Sequence, residues 1–200
     1  MTGRTTGQAV IGEDGKRRCP WAGVNPSPLA RYHDEVWGTP TKRSSALFEA
    51  LTLGVFEVGL SWSVVFSKRE AFRRAFHDFN VEKVAALKER DVDRLVHDPS
   101  IIRNRVKIVA TIANARTMRL ASPSLTALVA AHTTLRHRAP RSLADVPTTT
   151  PQAEALAAQL KSQGYRFVGP TSVYAFMQNV GAVNDHIHGC FRAIGSKSPS

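Results

Sequence analysis

Cys19 and Cys190 are the only two cysteines of a 200-residue chain, and a histidine accompanies each of them along the sequence. His186 stands four residues before Cys190, a spacing that lets both ligand atoms face one centre on a helix or a tight turn. At the other end, His33 follows Cys19 within Ala30-Arg31-Tyr32-His33-Asp34. Two thiolates and two imidazoles complete a closed tetrahedral zinc site, which stabilises a fold without doing chemistry. One structural zinc ion on Cys19, His33, His186 and Cys190 would clip the N- and C-terminal segments together across 171 residues. On residue types alone two other readings stay open: two unrelated buried thiols, or a disulfide in an exported protein. Residues 1–18 lack an apolar signal core, and no run approaches the ~20 apolar residues of a membrane span. The expectation is therefore a cytoplasmic protein with no membrane partner.

Aromatic residues form a second grouping. All three tryptophans, Trp21, Trp37 and Trp62, lie within one stretch that also holds Tyr32. Any one of them would ordinarily be explained by core packing, and Trp37 is read that way. Their concentration beside polar ligand candidates suggests flat walls on which a planar molecule stacks. The formal net charge is +11, and residues 1–18 hold four cations against two acids, so most of the excess belongs to the remaining chain. A basic surface with aromatic walls fits an enzyme that extrudes a base from DNA.

The elements that must position these residues read as helices. Leu47, Phe48, Leu51 and Val55 recur at helical spacing, and Val84, Leu87 and Leu95 mark two shorter helical segments. Ile108, Ile112 and Ala115, then Leu156 and Leu160, continue the pattern. Asn80 before Val81 and Thr150 before Pro151 read as N-caps, with Gly164 closing the later helix. A helix through Val96, a break at Asp98-Pro99-Ser100 and a helix from about Arg105 make two helices joined by a short hairpin. No alternating pattern exceeds about four residues, which predicts an all-α fold. Residues 1–17 and 195–200 read as disordered tails around a single domain at 18–194.

The blocks Cys19-Pro20-Trp21, Tyr32-His33-Asp34-Glu35-Val36-Trp37-Gly38, Gly59-Leu60-Ser61-Trp62, Lys68-Arg69-Glu70, Ile101 to Ile108, Phe167-Val168-Gly169-Pro170-Thr171 and Val183-Asn184-Asp185-His186 with Cys190 occur in one order over residues 18–191. In types, order and approximate spacing this set resembles the DNA-3-methyladenine glycosylase I family. The resemblance implies helix-hairpin-helix glycosylase architecture and hydrolytic excision of an alkylated purine, chiefly N3-methyladenine, from double-stranded DNA in base-excision repair. It also implies a bacterial monomer that associates with the nucleoid while acting. No lysine of these blocks stands as a Schiff-base nucleophile, so no lyase activity is expected.

By the same resemblance Trp21, Tyr32 and Trp62 line the base pocket, and Leu60 fills the gap left in the duplex. Arg103, Arg105 and Lys107, with the hairpin before them, are expected to hold phosphates without reading sequence. The chain departs from the family at Leu53-Gly54-Val55-Phe56-Glu57-Val58. The family commonly reads Leu-Glu-Gly-x-Gln-Ala there, so its base-binding glutamate falls on Gly54 and its glutamine on Glu57. Positions three apart share a helix face. Glu57 is thus either the relocated catalytic and base-recognising acid, or an exposed or ion-paired residue beside a pocket that has lost its anchor. Glycine at 54 also enlarges the pocket. Ser100 stands where the family usually has glycine. Alternatives to simple N3-methyladenine excision are a glycosylase-like DNA-binding protein and a glycosylase of altered lesion specificity.

Overall fold

The computed structural model describes residues 7–134 and 138–195, so residues 1–6 and 196–200 of the expected tails lie outside the described residues. Helices dominate, as the apolar spacing predicts, and the chain divides into two compact units. One comprises Met1–Pro40, Thr133–Thr148 and Met177–Ser200; the other comprises Thr41–His132 and Thr149–Phe176.

In the first unit, strands β1 (Val10–Ile11) and β2 (Arg17–Arg18) pair antiparallel, with Val10 opposite Arg18. This hairpin falls largely within residues 1–17, so that part of the expected tail is ordered. Its order comes from a partner distant in sequence: the Phe191 N–H donates to the Arg17 carbonyl at 2.8 Å. A 3-10 turn at Pro20–Ala22 leads to helix α1 (Pro28–Glu35), whose Ser27 cap accepts from the Ala30 N–H at 3.0 Å. Cys19, Ile187, Cys190 and Ala193 form the apolar centre of this unit, with Trp21 and Phe191 packed against it.

The second unit is built around α2 (Ser44–Glu57). Residues Leu47 through Phe56 are all buried, so the predicted stripe widens to the full circumference of the helix. Around it run α3 (Trp62–Ser67), α4 (Arg69–Ala75), α5 (Val81–Ala85), α6 (Glu89–Val96), α7 (Arg105–Leu120), α8 (Leu125–Ala131) and α9 (Pro151–Ser162). The Asn80 and Thr150 caps form as expected, accepting from Lys83 and Ala153 N–H groups, and Gly164 follows α9 at φ 93°. Leu87, placed on a helix by its spacing, lies instead between α5 and α6, still buried in the core. Phe48, Phe56, Phe72, Phe76 and Phe79 are the largest side chains of its core, all fully buried. A left-handed turn at His77-Asp78-Phe79 (φ 53°, 52° and 55°) precedes α5 and carries Phe79 into that core. Helix α10 (Pro170–Asn179) follows the Phe167–Gly169 segment. The Asn114 carboxamide clasps the N–H and carbonyl of Arg166 at 2.7 and 3.1 Å, beside Phe167 at φ 59°.

Candidate functional site

The two cysteines and two histidines singled out by type converge. Cys19, His33, His186 and Cys190 are all fully buried, and their ligand atoms lie within 4.8 Å of one another. His33 Nε2 stands 3.2 Å from His186 Nδ1, and Cys190 Sγ stands 3.4 and 3.5 Å from those same nitrogens. Cys19 Sγ is 3.7 Å from His186 Nδ1. Zinc bond lengths in a tetrahedron place two imidazole nitrogens about 3.3 Å apart and a nitrogen–sulfur pair about 3.6 Å apart. These four edges of the cluster match those of such a tetrahedron. The thiols are not joined to each other, which removes the disulfide reading.

Outer partners fix both imidazoles. His33 Nδ1 meets Asp34 Oδ1 at 2.9 Å, and His186 Nε2 meets the Trp37 carbonyl at 3.0 Å. Both acceptors require a proton on the outward nitrogen, which leaves the two inward nitrogens as lone pairs facing each other. With the two cysteine sulfurs beside them, these nitrogens form a donor set that could hold a metal ion. Asp34 is itself held by the nearly buried Arg18, whose Nε and Nη2 donate to its two oxygens at 2.9 and 2.7 Å. Burial works against the Asp34 carboxylate, but the Arg18 and His33 hydrogen bonds prevail and keep its pKa below the ordinary value. Arg18 also grips Asp14 through paired bonds of 2.7 and 2.6 Å. Of the thiols, Cys19 is pushed up and Cys190 held down, chiefly by the hydrogen bond between them, with both histidines adding to the lowering at Cys190.

Local turns deliver these ligands. His33 lies in the last turns of α1, and a turn closed by the Cys190 N–H to the Ile187 carbonyl at 3.0 Å brings Cys190 back under His186. Gly38 takes φ 71°, and a Cβ on it would stand 3.0 Å from the His186 ring, so only glycine fits there without moving the ligand. Trp37 packs edge-on against His186 at 4.6 Å and against Trp21 at 5.1 Å, in keeping with a packing role. Trp21, partly exposed, lies edge-on to His33 at 5.1 Å. Tyr32 is buried, and its hydroxyl donates to Asn179 Oδ1 at 3.2 Å.

The second unit holds the remaining candidates. Gly54 and Glu57 lie on α2, one helical turn apart. The Glu57 carboxylate is half-buried, burial raises its pKa above the ordinary value, and it has no hydrogen bond or ion pair among the described residues. The reading of Glu57 as ion-paired is thereby removed. A type II turn follows: the Leu60 N–H donates to the Glu57 carbonyl at 2.8 Å, with Gly59 at φ 78°, the position that favours glycine. The turn leaves Val58, Leu60 and the nearby Val64 exposed. Trp62 opens α3, packed against the core and tilted on Phe66 at 5.8 Å.

Of the three predicted phosphate-binding cations, the structure leaves one open to solvent and unpaired. Arg103 is exposed and has no partner among the described residues. Arg105 is exposed but drawn into ion pairs with Glu89 and, at 2.8 Å, Asp93 of α6. Lys107 is a correction. Its ammonium is buried and donates to the Phe56 and Val58 carbonyls at 2.9 and 2.5 Å, capping the C-terminal end of α2. Burial lowers its pKa. The hairpin between α6 and α7 forms with serine at position 100: the Ser100 N–H and hydroxyl donate to Asp98 Oδ1 at 2.8 and 2.6 Å, and Lys68 Nζ donates to the Ser100 carbonyl at 3.0 Å. Asn104 then caps α7, accepting from the Lys107 N–H at 3.1 Å.

Arg18, Asp34 and the Trp37 carbonyl are parts of the site that sequence reasoning missed. Arg18 adjoins Cys19 and Asp34 adjoins His33, and that adjacency of charge to ligand was the available signal.

A family model for methyladenine glycosylase matches residues 21–193. DNA-3-methyladenine glycosylase 1 of Escherichia coli (strain K12) is 42% identical over 185 residues, covering 90% of this chain and 98% of that protein. A crystal structure of 3-methyladenine DNA glycosylase I superimposes with a TM-score of 0.80 at 43% identity, covering 87% of this chain and 98% of the other. A single-site variant of 3-methyladenine DNA glycosylase I in complex with 3-methyladenine superimposes with a TM-score of 0.79 at 31% identity, covering 88% and 98%.

Proposed function

The chain belongs to the methyladenine glycosylase family and is a glycosylase; from that premise we propose that it excises N3-methyladenine from double-stranded DNA by hydrolysing the N-glycosidic bond. Glu57 carries the reading: a partly desolvated carboxylate with no partner among the described residues, at the end of α2 where the turn to the exposed Leu60 begins. Such a group suits an extruded cationic purine, because a charge in a dry site interacts more strongly than in water. A base positively charged by N3-methylation is already a good leaving group. The electron pair of the glycosidic bond passes to the purine, which departs neutral, while water adds at the sugar carbon and gives up a proton. Glu57 stabilises the cationic base through hydrogen bonding, and Trp62 stacks on it.

Leu60 fills the vacated position in the duplex, and the hairpin from Pro99 to Asn104 with Arg103 binds phosphate in the manner of a helix-hairpin-helix motif. Arg105 joins it only by leaving its acidic partners. Cys19, His33, His186 and Cys190 would hold one zinc ion, whose role would be structural: both thiols would bind it as thiolates, and the N- and C-terminal segments would be tied together. The donor set, its edges and the two inward lone pairs support that assignment. The protein acts as a monomer in the bacterial cytoplasm; among the described residues no helix is long and apolar enough to cross a membrane.

The test is release of free 3-methyladenine from methylated duplex DNA under single-turnover conditions. Wild-type protein is expected to release it and leave an intact strand with an abasic site, and Glu57→Gln to slow release while binding undamaged DNA as before. Binding without release by folded, metal-replete protein would replace this reading with that of a DNA-binding relative.

A further inference from the structure

The Lys68 ammonium meets backbone carbonyls and forms no ion pair among the described residues. Its Nζ donates to the Ser100 carbonyl at 3.0 Å and lies 3.4 Å from that of Pro99. Those oxygens belong to the hairpin between α6 and α7, whereas Lys68 joins α3 to α4. Its own N–H closes on the Val65 carbonyl at 3.1 Å, and its carbonyl accepts from the Phe72 N–H at 2.9 Å, so the side chain starts from a fixed point. The Ser100 N–H and hydroxyl are both taken by Asp98 Oδ1, and with its carbonyl on Lys68 every polar group of Ser100 is held. A lysine head group ordinarily stays in water. Here it ties together two elements that are separate along the chain.

Each of these elements carries one half of the proposed engagement with DNA. Helix α3 spans six residues, about 9 Å of length. Lys68 stands at one end of it; at the other are Trp62 and the turn that presents the exposed Leu60. The hairpin holds the outside of the duplex by its phosphates, while the turn enters the base stack. Both act on one stiff duplex, so the distance between them decides whether Leu60 arrives at the vacated position. We infer that Lys68 is a positioning residue that sets the register between the phosphate-binding hairpin and the inserting turn. This rests on the proposed glycosylase reading and concerns how that enzyme engages the duplex. An ammonium suits the task, because one point charge serves two carbonyls and offsets their negative ends where phosphates approach. Without it the hairpin is free to shift against α3, and a misplacement of about 1 Å can cost roughly a hundredfold in rate.

The experiment compares wild type with Lys68→Met, which keeps the stem and removes the charge. Three quantities are read: single-turnover release of 3-methyladenine from methylated duplex DNA at saturating protein, the salt slope of binding to undamaged duplex, and the fluorescence change of 2-aminopurine placed opposite a tetrahydrofuran abasic site, which reports insertion into the stack. The saturating rate is expected to fall by about tenfold or more and the fluorescence change to shrink, while the salt slope stays at the wild-type value. Melting curves are expected to show both proteins folded at the assay temperature. A salt slope reduced in magnitude by about one makes Lys68 a direct phosphate contact and overturns the inference. An unchanged saturating rate or an unchanged fluorescence change also overturns it, as does a variant that no longer folds, since the contact would then serve the fold at large. Absence of base release by folded wild type refutes the glycosylase reading itself, and the fluorescence measurement, which needs no excision, keeps the two failures apart.

Discussion

Replacing Lys107 with methionine separates two roles for one cation. The methionine stem fills nearly the same volume, so the change removes the ammonium and leaves the packing in place. Two carbonyls, those of Phe56 and Val58, then lose donors that stand at 2.9 and 2.5 Å. Hydrogen bonds to a charged group contribute about 1.5–3 kcal/mol each. Part of that sum is returned because a buried ammonium no longer has to be desolvated, which leaves a net loss of about 2–4 kcal/mol. For a protein of this size the melting temperature should fall by roughly 5–15 °C. The end of α2 also carries Glu57 and the turn to Leu60, so single-turnover excision should fall below that of wild type at a temperature where both are folded. Binding to undamaged duplex should keep its salt dependence, since no phosphate contact is lost. A phosphate-binding lysine would behave in the opposite way, with an unchanged melting curve and a salt slope of log K reduced in magnitude by about one. That result would refute the capping role and return Lys107 to the DNA surface.

The other three predictions concern metal, acid and phosphate. Purified protein should contain about one zinc ion per chain by mass spectrometry under native conditions, and Cys190→Ala should lose the ion and unfold at lower temperature, with activity lost only as folding fails; a metal-free native protein of unchanged stability under chelation would exclude the site. Burial raises the Glu57 pKa in the folded state, so the ionised carboxylate costs stability above that raised value and the cost vanishes below the unfolded value near 4.5. Glu57→Gln should accordingly be more stable than wild type at pH 7, with the two denaturation midpoints converging as pH falls below 4.5; equal stability at both pH values would mean that the carboxylate is fully hydrated. Arg103→Ala should weaken binding to all duplex sequences alike and reduce the salt slope by about one, whereas an unchanged slope would leave Arg103 as an ordinary solvated charge.

Much of the fold was legible in local sequence because helix signals are local. Thr150-Pro151, Asn80 and the apolar periods of α7 and α9 are read within a turn or two of themselves, and each appears where its spacing predicts. The four metal-ligand candidates were legible by type, since two cysteines and two histidines at the two ends leave few alternatives. Their convergence, the contact of His186 with the Trp37 carbonyl, and the pairing of β2 with Phe191 depend on segments about 150 or more residues apart, and no local pattern encodes them. The cations near the hairpin show the same limit. Arg103, Arg105 and Lys107 look alike as a basic run, but whether a charge meets solvent, a carboxylate or a buried carbonyl depends on what packs beside it. Tertiary structure alone gave Arg105 its acids on α6 and drew Lys107 inward to cap α2. Gly54 divides in the same way: the residue and its departure from the family were visible in the chain, while only the tertiary structure shows that a Cβ there would meet nothing within 4 Å.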